Sequence, residues 1–134
     1  MDIKDILQRR GWFVISATRE SAGPHDHYEN QWATRQLVHH LDALDLAFLP
    51  CDGVYRGVEQ GRSFLVFGPY DTGRQLCRIY DQESILTPDG LVDRHGNLLA
   101  QRVGDLFDEE AENADFFSRF ADGTKWSAAL SFWS

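Results

Sequence analysis

Two short runs constrain this chain more than anything else in it: WFVISAT at residues 12–18 and RSFLVFG at residues 62–68. Both are dense in aromatic and β-branched residues and read as mostly buried strands. Gly68-Pro69 stops the second. Around them the period changes. Over residues 29–44, Trp32, Leu37, Val38, Leu41 and Leu44 fall near one face at helical spacing. Residues 71–80, DTGRQLCRIY, suit a second helix, with Asp71 or Thr72 as its cap and Leu76, Cys77 and Ile79 inward. An extended stretch from Phe48 to about Tyr55, and ESILT at 83–87 closed by Pro88-Asp89-Gly90, supply two more strands. Asp2 caps a short leading helix from Ile3 to about Arg9, ended by Gly11, and residues 20–28 read as a loop.

The resulting order is strand, helix, strand, strand, helix, strand. Two βαβ halves joined by a hairpin predict an α+β, ferredoxin-like (βαββαβ) fold, with both helices on one face of an antiparallel sheet. The other face is then bare, and a broad apolar surface is an association site. Phe13, Ile15, Phe64, Val66 and the late Trp126, Phe132 and Trp133 offer material for a partner subunit. After Leu91 the pattern predicts a turn over 93–97, a helix from about Asp108 to Phe120, and a last strand from Lys125 to Trp133. With 134 residues and 43% apolar composition, residues 1–134 form one domain with a sizeable core.

Charge and cysteine usage narrow the function classes. The formal net charge is −8, with acid bunched at Asp105, Asp108, Glu109, Glu110, Glu112 and Asp115. Nucleic-acid binding through phosphates needs clustered Lys and Arg and is not expected. The acidic run is a solvated face or a contact for a cationic partner. No apolar stretch approaches the ~20 residues of a membrane span, and the first residues do not resemble a secretory signal. Cys51 and Cys77 lack paired spacing, so reduced core thiols in a cytoplasm are expected.

Few motifs carry chemistry. His25-Asp26-His27 looks like a fragment of a metal site, but the sequence suggests no third ligand, so a solvated loop is expected and no metal. His39-His40 falls at the polar edge of the long helix. No glycine-rich phosphate loop follows a strand. Ser16, Ser63 and Ser84 have no histidine placed to activate them, which argues against serine hydrolysis. What remains is a polar set at strand ends: Ser16 and Arg19, Tyr55 and Glu59, and Gln82 and Glu83.

Five segments, VISATR (14–19), GVYRG (53–57), SFLV (63–66), DQESIL (81–86) and FADGTKW (120–126), resemble in order and spacing the bacteriophage proteins that degrade S-adenosylmethionine, first called SAM hydrolases and later SAM lyases. The resemblance implies a PII-like ferredoxin fold, a homotrimer with substrate bound between subunits, and a counter-defence against restriction that depends on S-adenosylmethionine. On the matching positions, Tyr55 is the functional tyrosine and Glu83 the acid of the Gln-acid strand motif. Glu59 is the candidate for the second glutamate, although it follows Tyr55 more closely than in the family. Ser16, Ala17, Arg19 and Gln82 would complete the substrate site.

The implied reaction needs neither metal nor cofactor. The carboxylate of S-adenosylmethionine attacks its own γ-carbon, releasing 5′-methylthioadenosine and homoserine lactone. The protein would hold the methionine part in attacking geometry, an orientation effect of up to ~7–11 kcal/mol. Glu83 and Glu59 would bind the α-ammonium. Tyr55 would orient the carboxylate through its hydroxyl or face the sulfonium with its ring. Two rival classes are a PII-like protein that binds an adenine nucleotide without catalysis, and an acidic decoy that mimics DNA charge.

Overall fold

The computed structural model describes residues 2–17 and 24–132, the side chains of 24–29 excepted. Along the chain run α1 (Ile3–Leu7), β1 (Trp12–Ser16), α2 (Pro24–Ala43), β2 (Phe48–Tyr55), β3 (Val58–Phe67) and α3 (Tyr70–Ile79). There follow β4 (Ser84–Thr87), β5 (Gly90–Asp93), β6 (Leu98–Phe107), α4 (Asp108–Glu112), β7 (Phe116–Phe120) and β8 (Lys125–Phe132).

The two apolar runs lie side by side. β1 pairs antiparallel with β3, Val14 opposite Leu65 and Ser16 opposite Ser63. β3 continues into β2 through a two-residue turn whose Arg56 (φ 49°) and Gly57 (φ 80°) are both left-handed, the geometry that matches the twist of a tight hairpin. From there the sheet closes on itself in the order β1-β3-β2-β7-β8-β6-β5-β4, with Val14 of β1 opposite Leu86 of β4. Every pairing is antiparallel.

The barrel has a core on each side of its wall. Outside, Phe13, Ile15, Phe64, Val66 and Ile85 pack under Leu37 and Leu41 of α2 and Leu76 and Cys77 of α3. Inside, Trp12, Leu65, Cys51, Phe120 and Trp126 fill the end that Ile3, Ile6 and Leu7 of α1 seal. β1 and β3 are therefore buried on both faces, which is why their sequences read as continuous apolar runs rather than alternating ones. A smaller cluster of Val54, Ala111 and Phe117 sits beneath α4.

The ferredoxin-like, PII-like expectation is wrong. β4, β1, β3 and β2 do lie in that order, with the cores of α2 and α3 on one face. A four-stranded sheet would leave β4 and β2 as unpaired edges. Here β4 pairs with β5, and β2 with β7, so both edges are satisfied by strands of the same chain. The face expected to be bare is rolled inward to become the inner core, so the open sheet face offered to a partner subunit does not exist. The helix expected over 108–120 is also corrected: α4 ends at Glu112, and Phe116–Phe120 is β7. Alternation drives that difference, because Phe117 faces the α4 cluster while Phe120 enters the inner core. β5 and β6 lay unread in the stretch after Gly90.

Candidate functional site at the open end of the barrel

α1 closes one end of the barrel, and the other end is open. A cavity of about 700 Å³ enters there, within the range usual for small-molecule sites. Val14, Leu86 and Trp126 lie along it, with the hydroxyl-bearing Ser16, Ser63 and Ser84 on one side and Phe116, Leu130 and Phe132 on the other. An eight-stranded barrel is just wide enough to be filled by side chains or to hold one small ligand. This one does the first at its sealed end and leaves room for the second at its mouth.

Behind Trp126, outside the cavity lining, lies a nearly buried ion pair. Arg102 donates to Asp105 at 2.6 and 2.9 Å, and spends further donors on the carbonyls of Leu7 (2.8 Å) and Pro88 (3.2 Å). Its guanidinium lies over the Trp12 ring. Trp12 in turn meets Trp126 edge to face at 5.8 Å. The Cys51 thiol, in the same inner core, is pushed up to about 12 by burial and stays uncharged.

The β2–β3 turn and the start of β7 form a lip. Tyr55 stands opposite both Val58 and Phe116, half-exposed, with the Arg56 guanidinium 5.2 Å from its ring centre. The Arg56 N–H donates to the Asp115 carbonyl at 2.7 Å, and their side chains pair at 3.6 Å. Gly53 makes room for this arrangement: a Cβ there would lie 3.1 Å from the Phe116 ring. Of the two glycines of GVYRG, one serves an internal ring contact and the other a turn.

The residues nominated from sequence divide. Tyr55, Ser16 and Gln82 line the cavity together. Ser16 donates its hydroxyl to the Arg62 carbonyl at 3.2 Å, and Gln82 its amide to the Tyr80 carbonyl at 3.3 Å. Ala17 is buried on the other side of the wall, in the core under α2. Glu59 is on the outer surface, where it accepts from Arg119 at 2.7 Å and so pushes that guanidinium above its ordinary pKa. It closes a ladder of outer charges in which Arg62 pairs with Asp52 and Asp52 stands opposite Arg119. Glu83 is exposed, just before β4, and does not line the cavity. Arg19 and the side chains of His25 and His27 lie outside the described residues.

Ser63 and Ser84 gain a role that sequence reasoning missed. Weighed as nucleophiles, they lacked a base; their signal was period-two alternation, which puts them on the inner wall beside Ser16. Neither hydroxyl makes a hydrogen bond among the described residues. Among those residues no group of His, Cys, Asp and Glu is placed to hold a metal ion, and no helix is long and apolar enough to cross a membrane. No protein-family model matches the chain, and no curated protein shows significant similarity to it.

Proposed function

We propose that the protein binds a small molecule in the open half of its barrel. The observation that carries this reading is the pair of Ser63 and Ser84, whose hydroxyls border a cavity of about 700 Å³ without a partner among the described residues. Polar groups in such a place are normally satisfied, by water or by a ligand. The fold supports the reading too. The sealed end gives rigidity, and the open end gives access without unfolding any pairing of the sheet.

The test is a titration with N-phenyl-1-naphthylamine, a neutral dye that brightens in apolar sites. Saturable binding of one dye per chain is expected, and Leu130→Trp, which places an indole in the cavity, abolishes it. A wild-type protein with no saturable site overturns the reading.

Degradation of S-adenosylmethionine is the second reading, favoured by the meeting of Tyr55, Ser16 and Gln82 at one mouth. Glu59 and Glu83 have no part in it, because both stand outside the cavity. The barrel would act by folding the methionine part into attacking geometry, with Tyr55 at the lip and Asp115 as the nearby carboxylate. Incubation with S-adenosylmethionine, followed by chromatography for 5′-methylthioadenosine, decides it. No product at micromolar protein removes the activity and leaves the binding reading standing.

A further inference from the structure

The cavity wall is two-sided, and the sidedness specifies what enters. Ser63, Ser16 and Ser84 come from β3, β1 and β4, three consecutive strands of the ring. Four places round the eight-strand ring from β1 is β8, which contributes Trp126, Ala128, Leu130 and Phe132 to the same cavity, along with Ser127, whose hydroxyl is spent on the Phe116 carbonyl at 2.7 Å. One wall therefore offers hydroxyls and the facing wall offers hydrocarbon and aromatic surface. A molecule that satisfies both presents hydrogen-bonding groups along one edge and an apolar face on the other side.

Charge is excluded from the deeper part. Among the described residues the only formally charged one along the cavity is Asp115, at the lip, well exposed and already paired with Arg56. Outside the cavity lining, Asp105 is matched by Arg102 and by the Trp126 indole N–H. A charged group carried inward would lose its hydration and find no counter-charge, a cost that pairing alone can offset.

Resting on the binding reading above, we infer that the part of the ligand entering the barrel is a neutral ring system with at least two hydrogen-bonding groups on one edge, read by Ser63 and Ser84. The ring answers the aromatic and hydrocarbon surface of β8, and the edge answers the row of serines. Any charge the ligand carries stays at the mouth, beside Arg56 and Asp115.

Three naphthalenes separate these demands, each measured by displacement of N-phenyl-1-naphthylamine. 2,3-Dihydroxynaphthalene is expected to displace the dye at least roughly ten-fold more effectively than naphthalene, the gain from two ordinary hydrogen bonds. 2-Naphthoate is expected to be weakest. In the double variant Ser63→Ala/Ser84→Ala, with thermal unfolding as in the wild type, the advantage of the diol over naphthalene disappears. Equal displacement by naphthalene and the diol, an advantage that survives the double variant, or strongest displacement by 2-naphthoate overturns the inference and leaves the cavity reading intact. Failure of the dye itself to bind removes the cavity reading and this inference together.

Discussion

Trp126 donates its indole N–H to Asp105 at 2.9 Å, and the same carboxylate takes a two-point grip from Arg102. The side chains of Arg102 and Asp105 are only 12% and 9% exposed. Through Arg102 this one carboxylate ties β6 to α1 and to the β4–β5 turn. The barrel's sealed end is thus closed by a polar knot as well as by Ile3, Ile6 and Leu7.

Asp105→Ala is expected to cost about 3–5 kcal/mol, because it strands the guanidinium of Arg102 in a dry place. Asp105→Asn, which still accepts a hydrogen bond, loses less. Equilibrium unfolding in guanidinium chloride measures both. A loss under about 1 kcal/mol for the alanine variant would show that the ion pair is incidental to the fold.

Acid sensitivity has a local source in two turns. Asp93 accepts from the Asn97 and His95 backbone N–H groups at 2.9 Å, and the Asn97 bond is the main cause that holds its pKa below the ordinary carboxylate value. Asp122 is lowered in the same way, chiefly by the Thr124 N–H. A carboxyl whose folded pKa is depressed stabilises the fold above its unfolded pKa, and that contribution is lost as pH falls through the folded value. Thermal stability is therefore expected to fall below about pH 4. Asp93→Asn, with no proton to take up, shows a shallower fall over that window. Parallel pH profiles for the variant and the wild type would remove Asp93 from the acid response.

The lip turn gives a clean backbone test. Gly57 has φ 80°, and a Cβ there would meet nothing within 4 Å. Any cost of Gly57→Ala is thus conformational strain, about 1–2 kcal/mol, rather than a clash. The same variant is expected to loosen the Tyr55 side of the mouth and weaken dye binding. Unchanged stability by thermal unfolding would mean that the turn readily adopts another geometry.

How much of this was legible in the sequence follows from where each burial comes from. WFVISAT and RSFLVFG announced strands, and the helix face of Leu37, Val38 and Leu41 announced a helix, because each buries its own apolar stripe. Closure did not announce itself. β6 and β7 carry Arg102, Asp105 and Ser118 at positions that are inward or buried, so their alternation is not the usual one of apolar inside and polar outside. Asp105 stood in an acidic run that reads as solvated, yet it is the least solvated carboxylate of the ion pairs among the described residues. Tyr55, Ser16 and Gln82 come together at one cavity mouth because strand ends on one rim converge in a barrel as they would in an open sheet. Glu59 is parted from them by one bulge. The register slips between Gly53 and Val54, sets Glu59 opposite Val54, and turns it to the outer face with Arg119.

The lactonisation reading makes its sharpest demand on Tyr55. Its hydroxyl makes no hydrogen bond among the described residues, and its ring is already approached by the Arg56 guanidinium at 5.2 Å. A sulfonium seated on that ring would meet a like charge, which favours the hydroxyl as the working part. In that role it would fix the attacking carboxylate, and losing one hydrogen bond to a charged group costs about 1.5–3 kcal/mol. Tyr55→Phe is therefore expected to unfold at the wild-type temperature, since the ring opposite Phe116 is kept, while forming 5′-methylthioadenosine roughly ten- to a hundred-fold more slowly. Tyr55→Ala is expected to be at least as slow. An unchanged rate in Tyr55→Phe with collapse in Tyr55→Ala assigns the work to the ring. Full activity in both variants takes Tyr55 out of the chemistry and leaves it as part of the lip alone.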